Sequence, residues 1–326
     1  MNDSSTPKLI TGIHHVTAIS GDVQQNIDFY TGILGLKLVK QTVNYDYPEV
    51  YHFYFGNNGG EPGTIMTTFP YGSEMTNGRH GKGKVNTTAF SVPLSAVDYW
   101  LRRLEHFKVL FKHPQERFGG SEVVIYLEDS DGMGVELIFN DADTRPPISP
   151  AAVPEEHAIR GIHHVELWLE GFERTAAVLT ERMNHTLLKE GAGRFRFGVD
   201  DTPGRFVDLL CMPNSLGGLD GSGMVHHVAF STPDASTLLE LRESLQTFGL
   251  DPTGVRDRNY FRSIYFKEPG GVLFEIATAE PGFGIDENPG ELGQSLQLPP
   301  RFEEKRQSLD KTLPSFTCNP LKFRLE

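Results

Sequence analysis

Three histidine pairs head short apolar runs: Gly12-Ile13-His14-His15-Val16, Gly161-Ile162-His163-His164-Val165 and Met224-Val225-His226-His227-Val228. They hold half of the chain's 12 histidines. A fourth run, Val85-Asn86-Thr87-Thr88-Ala89-Phe90, has the same shape without imidazole, its Ala89-Phe90 matching Ala229-Phe230. Neutral imidazole is the commonest protein ligand for transition metals, and a repeat carrying one at a fixed place predicts a metal site where copies meet. A carboxylate joins the set in the last copy. Tyr265 and Glu275 lie five residues either side of Gly270 in the turn Glu268-Pro269-Gly270-Gly271, so an antiparallel hairpin centred there makes them cross-strand neighbours on one face. Glu275 follows the apolar run Val272-Leu273-Phe274 in a strand expected to be half buried. A carboxylate in that setting must be paired or bind a cation. His227 begins the same copy, and one further histidine completes two imidazoles and one carboxylate on one side of a metal. That set leaves coordination positions open, which suits Fe(II) oxygen chemistry, with Mn(II) accepting the same ligands. On the residues alone the further histidine is either His15 or His164.

The elements that must position these groups recur in the same order. Each first strand is followed by an amphipathic stretch, at 23–34, 94–107, 172–183 and 235–248, and then by short β-rich runs broken at Gly, Pro or Asp. In the second stretch Val97, Trp100, Leu101 and Leu104 share one helical stripe. The pattern is βαβββ four times, over about 10–70, 84–140, 160–212 and 222–280. Such a unit cannot close its own sheet, so the modules are expected to pair into two curved, barrel-like sheets whose inner faces hold ligand, an α+β fold. The proline-rich, acidic stretch 141–160 reads as the linker between two domains, 1–150 and 151–326. The tail, 281–326, is expected to drape over the last module.

Composition narrows the partners. A formal net charge of −13 argues against nucleic acid or an anionic membrane. Two cysteines, Cys211 and Cys318, are too few for a disulfide framework or a thiolate cage. The opening Met1-Asn2-Asp3-Ser4-Ser5 has neither a basic nor an apolar leader region, and no run is apolar enough to span a bilayer. The expectation is a cytoplasmic protein, with exposed repeat edges that allow a homodimer.

With these features the chain resembles the vicinal oxygen chelate superfamily of glyoxalases, bleomycin resistance proteins and extradiol dioxygenases. Within it, the chain is most similar to the hydroquinone-type ring-cleaving dioxygenases, over nearly its whole length. The strings that carry the likeness are Gly12-Ile13-His14-His15-Val16-Thr17, Gly35-Leu36, Val39-Lys40-Gln41-Thr42-Val43-Asn44, Tyr51-His52-Phe53-Tyr54-Phe55 and Pro62-Gly63-Thr64. The last module adds Val255-Arg256-Asp257-Arg258-Asn259-Tyr260-Phe261 and Phe274-Glu275-Ile276-Ala277-Thr278. The resemblance implies an Fe(II) enzyme that opens a hydroquinone-type ring with O2, its metal held by His15, His227 and Glu275. It places His14, Thr17, Arg258 and Tyr265 around that metal. Tyr265 would donate to a bound phenolate oxygen, His14 would move a proton, and Arg258 would offset anionic charge or steady the tyrosine.

One departure is the intact third pair, His163-His164. The related catechol-cleaving enzymes would use His164 with His227 and Glu275. By position in the repeat, Glu136 and Asp208 match Glu275, and Tyr126 matches Tyr265, so His164, Glu136 and Asp208 read as a vestigial second site filled by hydrogen bonds. The first copy has Thr67 at that place, so no fourth protein ligand is expected, which argues against a glyoxalase-like lyase or isomerase. A non-catalytic binder of aromatic compounds would be expected to lack the ligand set altogether.

Overall fold

The structure, a computed structural model, describes residues 9–148 and 151–325; the opening residues read above for a leader lie outside these. The first module comprises β1 (Gly12–Ser20), α1 (Val23–Ile27), β2 (Lys37–Val43), β3 (Tyr51–Gly56) and β4 (Ile65–Pro70). The second has β5 (Lys84–Val92), α2 (Val97–His106), β6 (Gln115–Arg117), β7 (Glu122–Glu128) and β8 (Gly134–Phe139). The third has β9 (Gly161–Leu169), α3 (Glu173–Glu181), β10 (Thr186–Gly191), β11 (Arg194–Gly198) and β12 (Phe206–Cys211). The fourth has β13 (Met224–Thr232), α4 (Ala235–Thr247), β14 (Arg256–Asp257), β15 (Phe261–Lys267) and β16 (Leu273–Pro281). The βαβββ order is therefore present four times.

Local chemistry explains the helix ends. The Asp22 carboxylate caps α1 by accepting from Gln25 N at 2.8 Å. The helix then widens into a π turn, Asp28–Ile33. Two carbonyls of that turn are taken by buried Arg103, whose Nη2 lies 2.6 Å from Gly32 O and whose Nε lies 2.8 Å from Ile33 O. On α2, Trp100 and Leu104 are fully buried as the stripe predicts, while Val97 and Leu101 are only partly covered; Arg103 is the unexpected core member, carrying its donors to the orphan carbonyls.

Two eight-stranded sheets result, in the orders β14-β15-β16-β13-β1-β4-β3-β2 and β10-β11-β12-β9-β5-β8-β7-β6. Each is two modules joined through antiparallel pairing of their first strands, β1 with β13 and β5 with β9. The strands that carry the histidines are thus central ones, and β1 is buried along its entire length. The first sheet joins modules one and four, the second modules two and three, so the division expected at residue 150 does not fall between sheets. Each sheet takes one module from each half.

Reciprocal glycine contacts lock modules one and three together. Gly63 N–H donates to His14 O at 3.1 Å while its carbonyl accepts from Ile162 N at 2.8 Å. Gly204 does the same with His163 O and Ile13 N, each at 2.9 Å. Both glycines have positive φ, 83° and 88°, which only glycine adopts at no steric cost. The tail corrects the expectation of a cover over the last module. It lies mainly on the first: Leu296 bridges to Gln41, Phe316 packs on Tyr51 and Phe53, and buried Lys40 holds Asp286 and Glu287. The uncompensated ammonium of Lys40 and the open edge of β2 both require that partner. No helix among the described residues is long and apolar enough to cross a membrane.

Candidate metal centre

Adjacent strand residues normally point to opposite faces. The histidine pairs escape this rule through β-bulges. The β1–β13 register shifts between Ile13 and His15 and again between Thr17 and Ala18, opposite His226; β5–β9 repeats both shifts, at His163 and at Asn86. The first histidine of each pair is therefore the bulged residue, and the two rings meet through Nδ1 atoms, 2.9 Å apart in His14–His15, 2.8 Å in His163–His164 and 2.8 Å in His226–His227. When the second histidine ligates a metal through Nε2, its proton sits on Nδ1 and is donated to the first.

His15 and His227, from facing strands, bring their Nε2 atoms to 3.4 Å. Glu275 joins them from β16, with Oε2 at 3.1 Å from His15 Nε2 and 2.9 Å from His227 Nε2. Neither contact has hydrogen-bond geometry, and both Glu275 oxygens are buried without a donor among the described residues. All three side chains are buried and their donor atoms lie within 4.8 Å of one another. A fully desolvated carboxylate facing two imidazole nitrogens, with no proton donor in line, is the arrangement a cation resolves. The residues fit a metal held by two imidazoles and a carboxylate. Burial pushes the Glu275 carboxyl up, but His15 and His227 outweigh it and hold it well below the usual carboxylate range.

The hairpin places Tyr265 opposite Glu275 as its spacing predicts. Its ring packs edge-on to His227, centroids 5.6 Å apart, and its hydroxyl accepts from Arg258 Nε at 3.1 Å. Burial pushes the Tyr265 hydroxyl well above the ordinary phenol range, so it is a donor. Arg258 also reaches Asp46 at 3.4 Å. Thr17 and Thr67 are paired on the parallel strands β1 and β4, and Thr67 Oγ1 lies 2.9 Å from Thr17 Oγ1. His14 is buried behind His15 against Phe261, ring centroids 5.1 Å apart, with burial lowering its pKa to about 3.

A cavity of about 220 Å³ opens beside the centre, lined by His15, His227, Arg258, Tyr265, His52, Tyr54 and Asn44 among others. His52 and Tyr54 went unassigned at the level of sequence, as did His226. Their signal was the period of two: His52 and Tyr54 share one face of β3, opposite Thr67.

The alternative pairing through His164 fails on topology. His164 sits in the second sheet, with Nε2 3.4 Å from Asp208 and 3.7 Å from Glu136. There the carboxylates are taken by guanidinium groups. Arg117 grips both oxygens of Glu136, one at 2.7 Å. Arg196 holds Asp208 at 2.7 and 2.9 Å and also Glu122, while Arg194 holds Asp208 at 3.0 Å and also Glu166. Three fixed cations neutralise the acids of the second cup, which keeps a cavity of about 370 Å³ lined by Arg117, Tyr126, Glu136 and Arg194.

Comparisons agree with this architecture. Residues 12–137 match the model of the Glyoxalase/Bleomycin resistance protein/Dioxygenase superfamily. MhqO of Bacillus subtilis (strain 168), a ring-cleaving dioxygenase by name, is 39% identical over 96% of this chain and 99% of its own. The chlorohydroquinone/hydroquinone 1,2-dioxygenase of Sphingobium indicum is 33% identical over 94% of this chain and 97% of its own. A crystal structure of a Bacillus subtilis protein designated a dioxygenase superposes with a TM-score of 0.90 at 39% identity, covering 95% of this chain and 98% of the other. Histidines paired across two modules, an unsolvated glutamate between them and end-to-end likeness to these proteins lead to one assignment: the chain belongs to the ring-cleaving dioxygenases of the glyoxalase/bleomycin resistance/dioxygenase superfamily.

Proposed function

We propose that the protein is an Fe(II)-dependent dioxygenase that opens a hydroquinone-type aromatic ring with O2. The observation that carries this reading is Glu275, buried with both oxygens undonated and facing Nε2 of His15 and His227 beside a ring-sized cavity. These three residues would hold the metal, Fe(II) or Mn(II), which when bound supplies a Lewis acid for a phenol oxygen and a redox partner for O2. The hydroquinone class is favoured by the name of the Sphingobium relative and by Tyr54, His52, Arg258 and Tyr265 in the cavity lining, which can meet ring hydroxyls.

The chain's own groups have separable tasks. Tyr265 donates toward the substrate oxygen, and Arg258 fixes that hydroxyl and adds positive charge where anionic charge develops. His14 and His226 hold the ligand imidazoles in one tautomer through their Nδ1 contacts. Thr17 orients Thr67, which occupies the place where a fourth protein ligand would stand. Three ligands leave room for both substrates, which disfavours a four-ligand lyase site. The test is oxygen uptake by iron-loaded protein with hydroquinone and catechol side by side. Uptake faster with hydroquinone is expected, and turnover without oxygen consumption would overturn the reading.

A further inference from the structure

Tyr54 and Tyr265 occupy matching places in modules one and four. Tyr265 faces Glu275 across β15 and β16, Tyr54 faces Thr67 across β3 and β4, and both line the cavity. Their backing differs. The Tyr265 hydroxyl accepts from the Arg258 guanidinium, which has donors only, and faces the Glu275 carboxylate that the metal would engage. The Tyr54 hydroxyl lies 3.0 Å from His52 Nδ1, and an imidazole can accept a proton.

The far side of His52 continues the chain. Its Nε2 lies 2.8 Å from Thr67 Oγ1, which lies 2.9 Å from Thr17 Oγ1. Every link is satisfied in either direction. Tyr54 O–H can donate to Nδ1 while Nε2–H donates to Thr67 and Thr67 to Thr17. Reversed, Thr17 donates to Thr67, Thr67 to Nε2, and Nδ1–H to the Tyr54 oxygen. A row of hydrogen bonds complete in both polarities can pass a proton. His14 is not among the residues lining the cavity and meets His15 through Nδ1.

On the ring-cleaving reading above, we propose that Tyr54 and His52 form the proton acceptor that takes up the substrate's hydroxyl proton as it binds as phenolate. The substrate O–H bond breaks and its proton joins the Tyr54 oxygen. The proton that Tyr54 held passes to His52 Nδ1, leaving an imidazolium that still donates to Thr67 through Nε2. Charge balances, because the phenolate forms beside the imidazolium. Burial keeps His52 well below the ordinary imidazole range, so it is neutral and ready before substrate arrives. Burial likewise holds Tyr54 well above the phenol range, so it relays and does not store the charge. The charged and titratable groups around His52 are His15 on β1, Tyr54 on β3, His227 on β13, Arg258 before β15 and Glu275 on β16. Its ring packs on Tyr54 and Phe69, at 4.1 and 4.3 Å.

His52→Gln tests this, since the amide can accept from Tyr54 and donate to Thr67 yet cannot hold a proton. The first readout needs no turnover. Full-length protein loaded with redox-silent zinc binds 4-nitrophenol at a pH where the free phenol is protonated; its colour reports phenolate, and calorimetry in two buffers counts protons released. The wild type is expected to release about one proton fewer per phenolate than H52Q. Equal counts, or a phenol bound protonated in the wild type, would overturn the proposal. Tyr54→Phe, which cuts the relay, must match H52Q in this count. In oxygen uptake, kcat of H52Q falls roughly 10²–10⁴-fold with KM little changed. A purely structural His52 would leave H52Q like the wild type. If no dihydroxybenzene drives oxygen uptake by the wild type, the ring-cleaving reading fails while the proton count still decides the role of His52.

Discussion

Glu275 loses its hydration on folding and receives no hydrogen bond in exchange, between two imidazoles whose other nitrogens are already committed. A side chain kept at such expense is one whose compensation comes from a bound ion. Glu275→Ala or His227→Ala should therefore lose bound iron and oxygen uptake together, measured by metal analysis and an oxygen electrode on the same sample. Full activity in either would remove that residue from the ligand set. Tyr265→Phe should keep iron at wild-type content and lower kcat by about 10²–10³-fold, the usual cost of one donor to a developing anion. Unchanged kinetics would exclude it from the chemistry.

At the level of elements, two sheets built alike use their matching acids in different ways. In the first, β1, β13 and β16 present His15, His227 and Glu275 to an open centre. In the second, the matching places hold Thr87, His164, Glu136 and Asp208, and Arg117, Arg194 and Arg196 bind the acids. Arg196 is nearly inaccessible and spans Asp208 and Glu122, so removing it strips buried Glu122 of its guanidinium and leaves Asp208 only Arg194. Arg196→Met should cost about 3–5 kcal/mol in urea unfolding while iron content per folded protein is unchanged. A loss of iron without a loss of stability would show that the second cup supports the metal directly.

Across the whole molecule, neither sheet belongs to one half of the chain. His15 comes from the first module and His227 and Glu275 from the fourth, so the centre exists only when the ends of the chain are paired. A nick by a glutamate-specific protease in the exposed segment at Glu155 and Glu156 should leave both halves in one peak on size exclusion, with iron retained. Separation into two folded halves would contradict the sheet pairing. The reciprocal bonds of Gly63 and Gly204 and the anchoring of the tail by Lys40 add further cross-chain ties.

Patterns local to the chain were readable before any coordinates. The βαβββ repeat, the hairpin register that sets Tyr265 opposite Glu275 and the metal-capable histidines follow from period, turn residues and side-chain chemistry, because those act over a few residues. What local pattern leaves open is which module meets which. His15 and His164 have the same neighbours in sequence, and only the pairing of β1 with β13 and of β5 with β9 distinguishes them. That pairing also settles which cup the arginines line, while the packing of the tail decides what meets Lys40. Contacts of this kind are set by packing between stretches far apart along the chain, where each strand's own sequence is silent about its partner.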